Sequence, residues 1–205
     1  MTKRKRKLKK RALFIIISII ICILLYILIF HSSVVISIIK KTETTCKFDY
    51  TLEKRDTDLM KENFKELDNI LCDNQIDYKK YADFLSKLFI IDLYTIDNKK
   101  NMYDVGSLEY VYDKDNFKIN VQNTIYKYIE DENSRKSGTL PIVKSINIDE
   151  KSMGTFDYNG NTYDSYIINL SWTYEKDLGY DNKGKAEIIK IEDKLYVVSF
   201  TPEVE

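Results

Sequence analysis

The sequence predicts an α+β domain behind one membrane-spanning helix, and three features of the 205-residue chain carry that prediction. A basic start runs into a long apolar segment. Apolar residues then recur at helical spacing over residues 57–129, and the period changes to two after Pro141.

The start comes first. Residues 3–11 read KRKRKLKKR, with eight basic residues, and no acid precedes Glu43. Ala12 to Phe30 (ALFIIISIIICILLYILIF) has Ser18 as its one plainly polar side chain. As a helix this run is about 28 Å long, close to the hydrocarbon thickness of a bilayer. His31, Ser32 and Ser33 interrupt it, and Val34–Ile39 carries the apolar character on to Lys40 and Lys41. A span over residues 12–39 is expected, with the more basic end, 1–11, in the cytoplasm and the remainder outside. A cleaved signal peptide has a shorter apolar core and a small-x-small site. Val35-Ile36-Ser37 is a poor match, and Ile21 stands before Cys22 where a lipoprotein cysteine needs a small residue. An uncleaved signal anchor in the cell membrane is the reading.

Ten of the 32 basic residues lie before Thr42, so 22 remain against 32 acids, a net charge of −10 for the outer part. Such a surface repels phosphate backbones, and no nucleic-acid partner is expected. Residues 40–56, polar with isolated Phe48, Tyr50 and Leu52, read as a stalk or a single edge element; the domain proper is expected over 57–205.

Thr57 or Asp58 can cap a first helix, in which Leu59, Met60, Phe64, Leu67, Ile70 and Leu71 share a face. It should end near Asp73-Asn74. Asp77 can cap a second helix whose apolar residues, among them Tyr81, Leu85, Leu88, Phe89 and Leu93, cover so much of its circumference that it should be central. Asp97–Asn101 stops it. Over 102–114, Gly106 is placed in a turn and Ser107 could cap a short helix through Tyr112. Phe117, Val121, Ile125, Tyr128 and Ile129 then mark a third helix, closed by the polar stretch 130–138.

Beyond Pro141 come strands. Val143–Ile148 begins the first, and Asn159-Gly160 between alternating segments is a hairpin turn. Tyr166, Ile168, Leu170, Trp172 and Tyr174 make one apolar face. Asp181–Gly184 turns into Ala186–Ile191, and Glu192–Lys194 into Leu195–Phe200. About three helices packed on a curved four-stranded antiparallel sheet follow, because a meander with one apolar face must be covered.

This order of elements resembles that of nuclear-transport-factor-like (cystatin-like) domains. Placed outside the membrane on a single N-terminal span, it resembles the bitopic assembly subunits of type IV secretion systems and their counterparts in Gram-positive conjugative elements. The resemblance covers residues 12–200 and rests on element order and topology, with no residue motif. It implies a self-associating scaffold in an envelope complex, with other envelope proteins as partners.

The chemistry-bearing residues are few. His31, the single histidine, sits at the membrane edge, which removes Ser-His-Asp, Cys-His and histidine-zinc sites from the outer part. No glycine-rich phosphate loop occurs, and no cofactor is expected. Asp92 with Asp97, Glu130 with Glu132, and Asp149-Glu150 are acid pairs of the kind chance supplies in so acidic a chain. Asp177–Lys185 lacks the spacing of a calcium loop and reads as a hairpin turn. Cys46 and Cys72 both lie outside, so a disulfide is permitted; the domain does not require the staple, and two free thiols, one buried and one exposed, are the favoured reading. Tyr163, Tyr166, Trp172 and Tyr174 could line a cavity or an interface, or could simply pack against the helices. A membrane-anchored interaction domain, not an enzyme, is the leading expectation. A ligand-sensing domain with an aromatic cavity comes second, and an enzyme using carboxylates and tyrosines third.

Overall fold

A computed structural model describes residues 43–129 and 140–203. The expected basic tail, the expected span and the acids Glu130 and Glu132 lie outside these residues. Among the described residues, no helix is long and apolar enough to cross a membrane. The chain divides into two compact units at residues 41/42, and the second is described below.

The order of elements is β1 (Glu43–Thr44), β2 (Thr51–Leu52), α1 (Asp58–Cys72), α2 (Tyr78–Tyr94), α3 (Lys114–Asn123), β3 (Val143–Tyr158), β4 (Asn161–Tyr174), β5 (Lys183–Ile191) and β6 (Lys194–Pro202). This is an α+β fold with three helices and a four-stranded antiparallel sheet in the order β3-β4-β5-β6. A separate ribbon joins β1 and β2.

The helices start where capping residues allow. The Thr57 hydroxyl accepts from Met60 N (3.2 Å), and Asp77 accepts from the N–H groups of Lys79 and Lys80. In α2 ten side chains are buried, from Tyr81 to Tyr94, and it touches all four strands of the sheet. Helix α1 packs mainly on α2. Asn159 and Gly160 both take positive φ (50° and 78°), the two-residue turn whose twist matches a hairpin, and β3 and β4 run on either side of it for 16 and 14 residues. Ile168, Leu170 and Trp172 of β4, Ala186 and Ile188 of β5, and Leu195 and Val197 of β6 are buried in the core with α2.

Two segments depart from expectation. Helix α3 ends at Asn123 instead of continuing to Ile129. Thr124 leaves helical geometry (φ −120°, ψ −93°), and Tyr126 N donates back to Val121 O (2.9 Å). The break buries Tyr126, whose hydroxyl donates to Leu93 O (2.8 Å), and leaves Tyr128 84% exposed. Placing one large ring under α2 outweighs continuing a helix through Asn123 and Thr124, both modest helix formers. No short helix runs to Tyr112 either. Ser107 takes a positive φ of 65°, its N–H donates to the Asp92 carboxylate and its hydroxyl to Phe89 O (2.7 Å). Val111 then forms a single parallel pairing with Val197 of β6.

The larger departure is the arm, residues 43–56, expected as a stalk. It is docked into the domain. Tyr50 is fully buried and Leu52 nearly so. Leu195 N donates to the Tyr81 hydroxyl (3.3 Å), and the Tyr50 hydroxyl donates to Leu195 O (3.3 Å). The two hydroxyls lie 2.5 Å apart. One proton arrangement satisfies every group: Tyr81 donates to Tyr50 and closes a ring of three hydrogen bonds through the Leu195 peptide. Burial pushes both hydroxyls well above the usual tyrosine range. Cys46 and Cys72 are joined as a disulfide (Cα–Cα 5.3 Å), in place of the two free thiols expected, because the docked arm brings Cys46 to the last residue of α1. The sequence pattern concealed the docking because a single tyrosine, without periodic neighbours, carries it.

Truncating Tyr50→Ala should cost roughly 3–5 kcal/mol in urea unfolding, the range for a large buried side chain. Tyr50→Phe should cost about 1–3 kcal/mol, because Leu195 O and the Tyr81 proton lose their partner. Replacing both cysteines by serine should cost about 3 kcal/mol. An arm that merely hangs free would leave all three midpoints unchanged.

Candidate recognition groove

Trp172 and Tyr174, two of the four aromatics singled out in the sequence, sit together. Trp172 is buried, packs at a tilt on Tyr94 (ring centroids 4.9 Å), and its Nε1 donates to the Tyr174 hydroxyl (2.8 Å). That hydroxyl donates in turn to Asp181 O (2.6 Å). Tyr166 lies elsewhere, in a depression of about 360 Å³ beside Lys79, Asp83, Lys151 and Met153. Tyr163 falls on the opposite face of β4 by strand alternation, across from Phe156. The four do not converge on one site.

A wide opening lies next to the Trp172 cluster. It is a half-open groove of about 580 Å³. Phe89, Leu93 and Tyr94 of α2 line it together with Asn116, Phe117, Asn120 and Val121 of α3. Its other side is the edge of β6, where five of the six residues from Val197 to Pro202 contribute. Tyr112 and Tyr158 close one end, their rings meeting edge to face at 5.4 Å. Beyond Tyr94, Thr124, Ile125 and Asp181 the groove continues into a second depression of about 480 Å³, bordered by Tyr128 and Tyr180.

Local sequence explains these walls. Asp113 caps α3 by accepting from Asn116 N (3.2 Å), which starts the helix immediately after the Val111 pairing. Phe117 and Val121 are spaced to share one face, and Asn116 and Asn120 lie beside them. Phe200 stands over Gly184, where a Cβ would come within 2.7 Å of its ring; any other residue there would displace it. Phe200 meets Phe89 (5.4 Å) and Tyr94 (6.3 Å) edge to face.

The groove is electrostatically one-sided. Among the described residues its charged lining residues are Asp113 and Asp181, with no lysine, arginine or histidine among them. Tyr94 donates to the Asp181 carboxylate (3.3 Å), and burial raises the Tyr94 hydroxyl further out of reach of ionisation. The wall has surfaces for apolar groups, amides for hydrogen bonds and acids for a cation. Among the described residues it offers no cation that would hold an anion.

A second cluster of carboxylates lies where the arm meets the loop 97–109, around a small cavity of about 230 Å³. Here each acid has a structural partner. Lys99, 2% exposed, pairs with Asp92 (2.5 Å). Arg55 forks onto both oxygens of Asp104. Asp56 accepts from Glu53 N (2.6 Å) within its own turn, and Glu109 accepts from Thr51 N (3.0 Å) and the Thr51 hydroxyl (3.0 Å). Burial raises Asp56 and Glu109. Burial also acts on Asp104, but the Arg55 and Lys100 hydrogen bonds and the charges of Arg55 and Lys99 bring it down to about 2. This cluster fastens the arm. Cys46, Asp68 and Cys72 also lie close together, but both sulfurs are in the disulfide and Asp68 accepts from Cys46 N (2.7 Å). Of the remaining acids noted in the sequence, Asp149 accepts from Ser171 (2.8 Å), Glu150 from Asn169 (3.3 Å) and Asp177 from Gly179 N (3.0 Å), all exposed.

The groove residues Asn116, Phe117, Asn120 and Phe200 were not singled out in the sequence. Phe117 and Phe200 read as ordinary core positions of a helix and a strand. The one available signal was the pair of amides four residues apart beside an apolar stripe. Comparison of the chain with family models, with curated proteins and with solved structures returned no match.

Trp172 is the single tryptophan, so its emission reports this region alone. Phe200→Ala should shift that emission to the red and cost roughly 3 kcal/mol by opening the cluster; unchanged emission would mean the ring does not shield Trp172. Glu109 supplies a pH test. Its folded pKa is raised above the ordinary 4.5, so its favourable contribution is complete below that pH and is lost as pH rises through the folded value. Glu109→Gln, matching the protonated form, should therefore gain stability relative to the parent as pH rises above the ordinary 4.5. A difference that stays flat or drifts the other way would remove the buried-charge account.

Proposed function

We propose that this chain is a single-pass membrane protein whose acidic domain stands outside the cytoplasm and acts as a protein-interaction module of an envelope assembly, of the secretion or conjugation kind, with the groove as its recognition surface. The span and its direction rest on the apolar run 12–30 and on eight basic residues before it against two after it. The disulfide agrees with an oxidising compartment. The observation that carries the interaction role is the groove itself. It is long, half open, apolar and amide-lined, and it is bounded by the edge of a strand. The carboxylates around the arm are engaged in structural pairs, which favours binding over acid–base chemistry.

One observation supports a second reading. A volume of about 580 Å³ falls within the range of small-molecule sites, so an uncharged or cationic ligand stacked on the aromatic lining is the alternative.

The full chain expressed in cells should sediment with membranes and stay there after alkaline carbonate. Protease added to intact cells should digest the domain. Recovery in the supernatant with the first forty residues intact would overturn the anchor, and a domain sheltered from protease would overturn its sidedness. A photo-crosslinker at Asn120 should give discrete adducts in membranes that the same probe at exposed Thr155 does not; identical smears from both would count against the groove as the contact surface.

A further inference from the structure

We propose that the outer edge of β6 accepts an extended peptide segment of a partner protein as an additional strand, running between β6 and α3, with apolar side chains at alternate positions and a lysine or arginine at its flank. This rests on the groove being a protein-recognition surface and names the chemistry of its occupant.

The fold already performs one step of this addition. Val197 N donates to Tyr110 O (2.9 Å) and Tyr112 N donates to Val197 O (3.4 Å), so the chain's own segment pairs in parallel with β6 for a single residue. Asp113 then caps α3 and the chain turns away. Past that point no strand among the described residues pairs with this edge. Strand alternation shows what is left open. Glu203 N donates inward to Lys183 O, and Thr201 and Ser199 sit in the same phase opposite Lys185 and Glu187. Phe200 and Pro202 therefore present their backbones to the groove. Proline is tolerated in that phase because the donor it lacks is one β5 does not use.

A strand added at this edge has a second edge of its own, and α3 stands along it. The Asn120 amide can bond backbone groups there, and so can the Asn116 Oδ1, while the Asn116 Nδ2 is held by the Asp113 carboxylate (2.6 Å). Between strand edge and helix, Phe117, Val121 and Phe200 offer surface to alternate side chains of the guest. Charge decides the flanks. Among the described residues no cation in the lining opposes Asp113 and Asp181, so the guest is basic or neutral and not acidic.

The test selects a random seven-residue peptide library, displayed on phage, against the full chain in lipid nanodiscs. Selected sequences are then synthesised with a fluorescent label, with and without N-methyl groups on alternate amides, and titrated by anisotropy. The expected result is enrichment of alternating apolar residues with a lysine or arginine. N-methylation in the phase that faces β6 should weaken binding about tenfold or more, and in the other phase less. Asn120→Lys, at an exposed position, should weaken binding about fivefold with an unchanged urea midpoint. No enrichment, enrichment of acidic sequences, or equal binding of both N-methylated forms overturns the proposal; the last would assign the groove to side-chain or small-ligand recognition. Self-linkage of an Asn120→Cys variant between two copies, with no peptide bound, overturns it in favour of a self-interface. Peptide binding is read on the purified chain, so these outcomes stand apart from the localisation tests. Partner adducts at Asn120 without strand-type binding would remove this inference alone.

Discussion

The closed hydrogen-bond ring of Tyr50, Tyr81 and the Leu195 peptide is the constraint on which the domain is organised. It joins three places distant in the chain: the arm, the first turn of the central helix and the start of β6. Each hydroxyl is buried, and each would be costly to leave without a partner. The ring therefore fixes the arm in one position. Nearby groups fit around it. Tyr110 stacks on Tyr50 at 5.5 Å, and the Lys194 ammonium lies 4.4 Å from the Tyr50 ring centre while donating to Phe48 O (3.3 Å). Burial lowers the Lys194 pKa, which is the expected consequence of a lysine drawn against aromatic faces.

From that anchored start of β6 the groove follows by subtraction. The segment after Tyr110 must meet β6 at Val197, and it must also leave in time for α3 to begin at Lys114. Only one residue of edge is covered. At the other end α3 stops early because Tyr126 is drawn beneath α2. What remains is a short helix standing off from an uncovered strand edge, floored by α2. The core of the fold and the opening on its flank thus both follow from the burial of Tyr110 and Tyr126 at the two ends of the segment that carries α3.

The parts legible in the sequence were those with periodicity. The caps Thr57 and Asp77, the central α2, the Asn159-Gly160 turn and the alternating strands each announce themselves through spacing or turn chemistry. What was not legible depended on single residues. The arm is held by Tyr50, by the Arg55–Asp104 ion pair and by Thr51 on the Glu109 carboxylate, partners about fifty residues apart in sequence. The break in α3 follows from Tyr126, which is out of phase with the Phe117–Val121 stripe and still reaches the core. Of the four aromatics chosen in advance, Trp172 and Tyr174 border the groove through Tyr94 and Asp181. Alternation alone sends Tyr163 to the other face.

The disulfide then takes on a meaning that stability alone does not give it. The arm is already held by the tyrosine ring, by the Arg55–Asp104 fork and by Glu109 on Thr51. A pull on the chain where it enters at Glu43 bears first on the β1–β2 pairing and on the two hydrogen bonds between Thr45 and Tyr50, and Cys46 is the first covalent stop behind them. The covalent link passes that load to Cys72 and hence to the end of α1, which packs along α2. Hydrogen bonds shear one after another under tension, whereas a disulfide does not yield until it is chemically reduced. If the domain is tethered at its N-terminal side as proposed, this link limits how far the arm can be drawn out once those hydrogen bonds give way, and so limits how far the ring that positions β6 can be displaced.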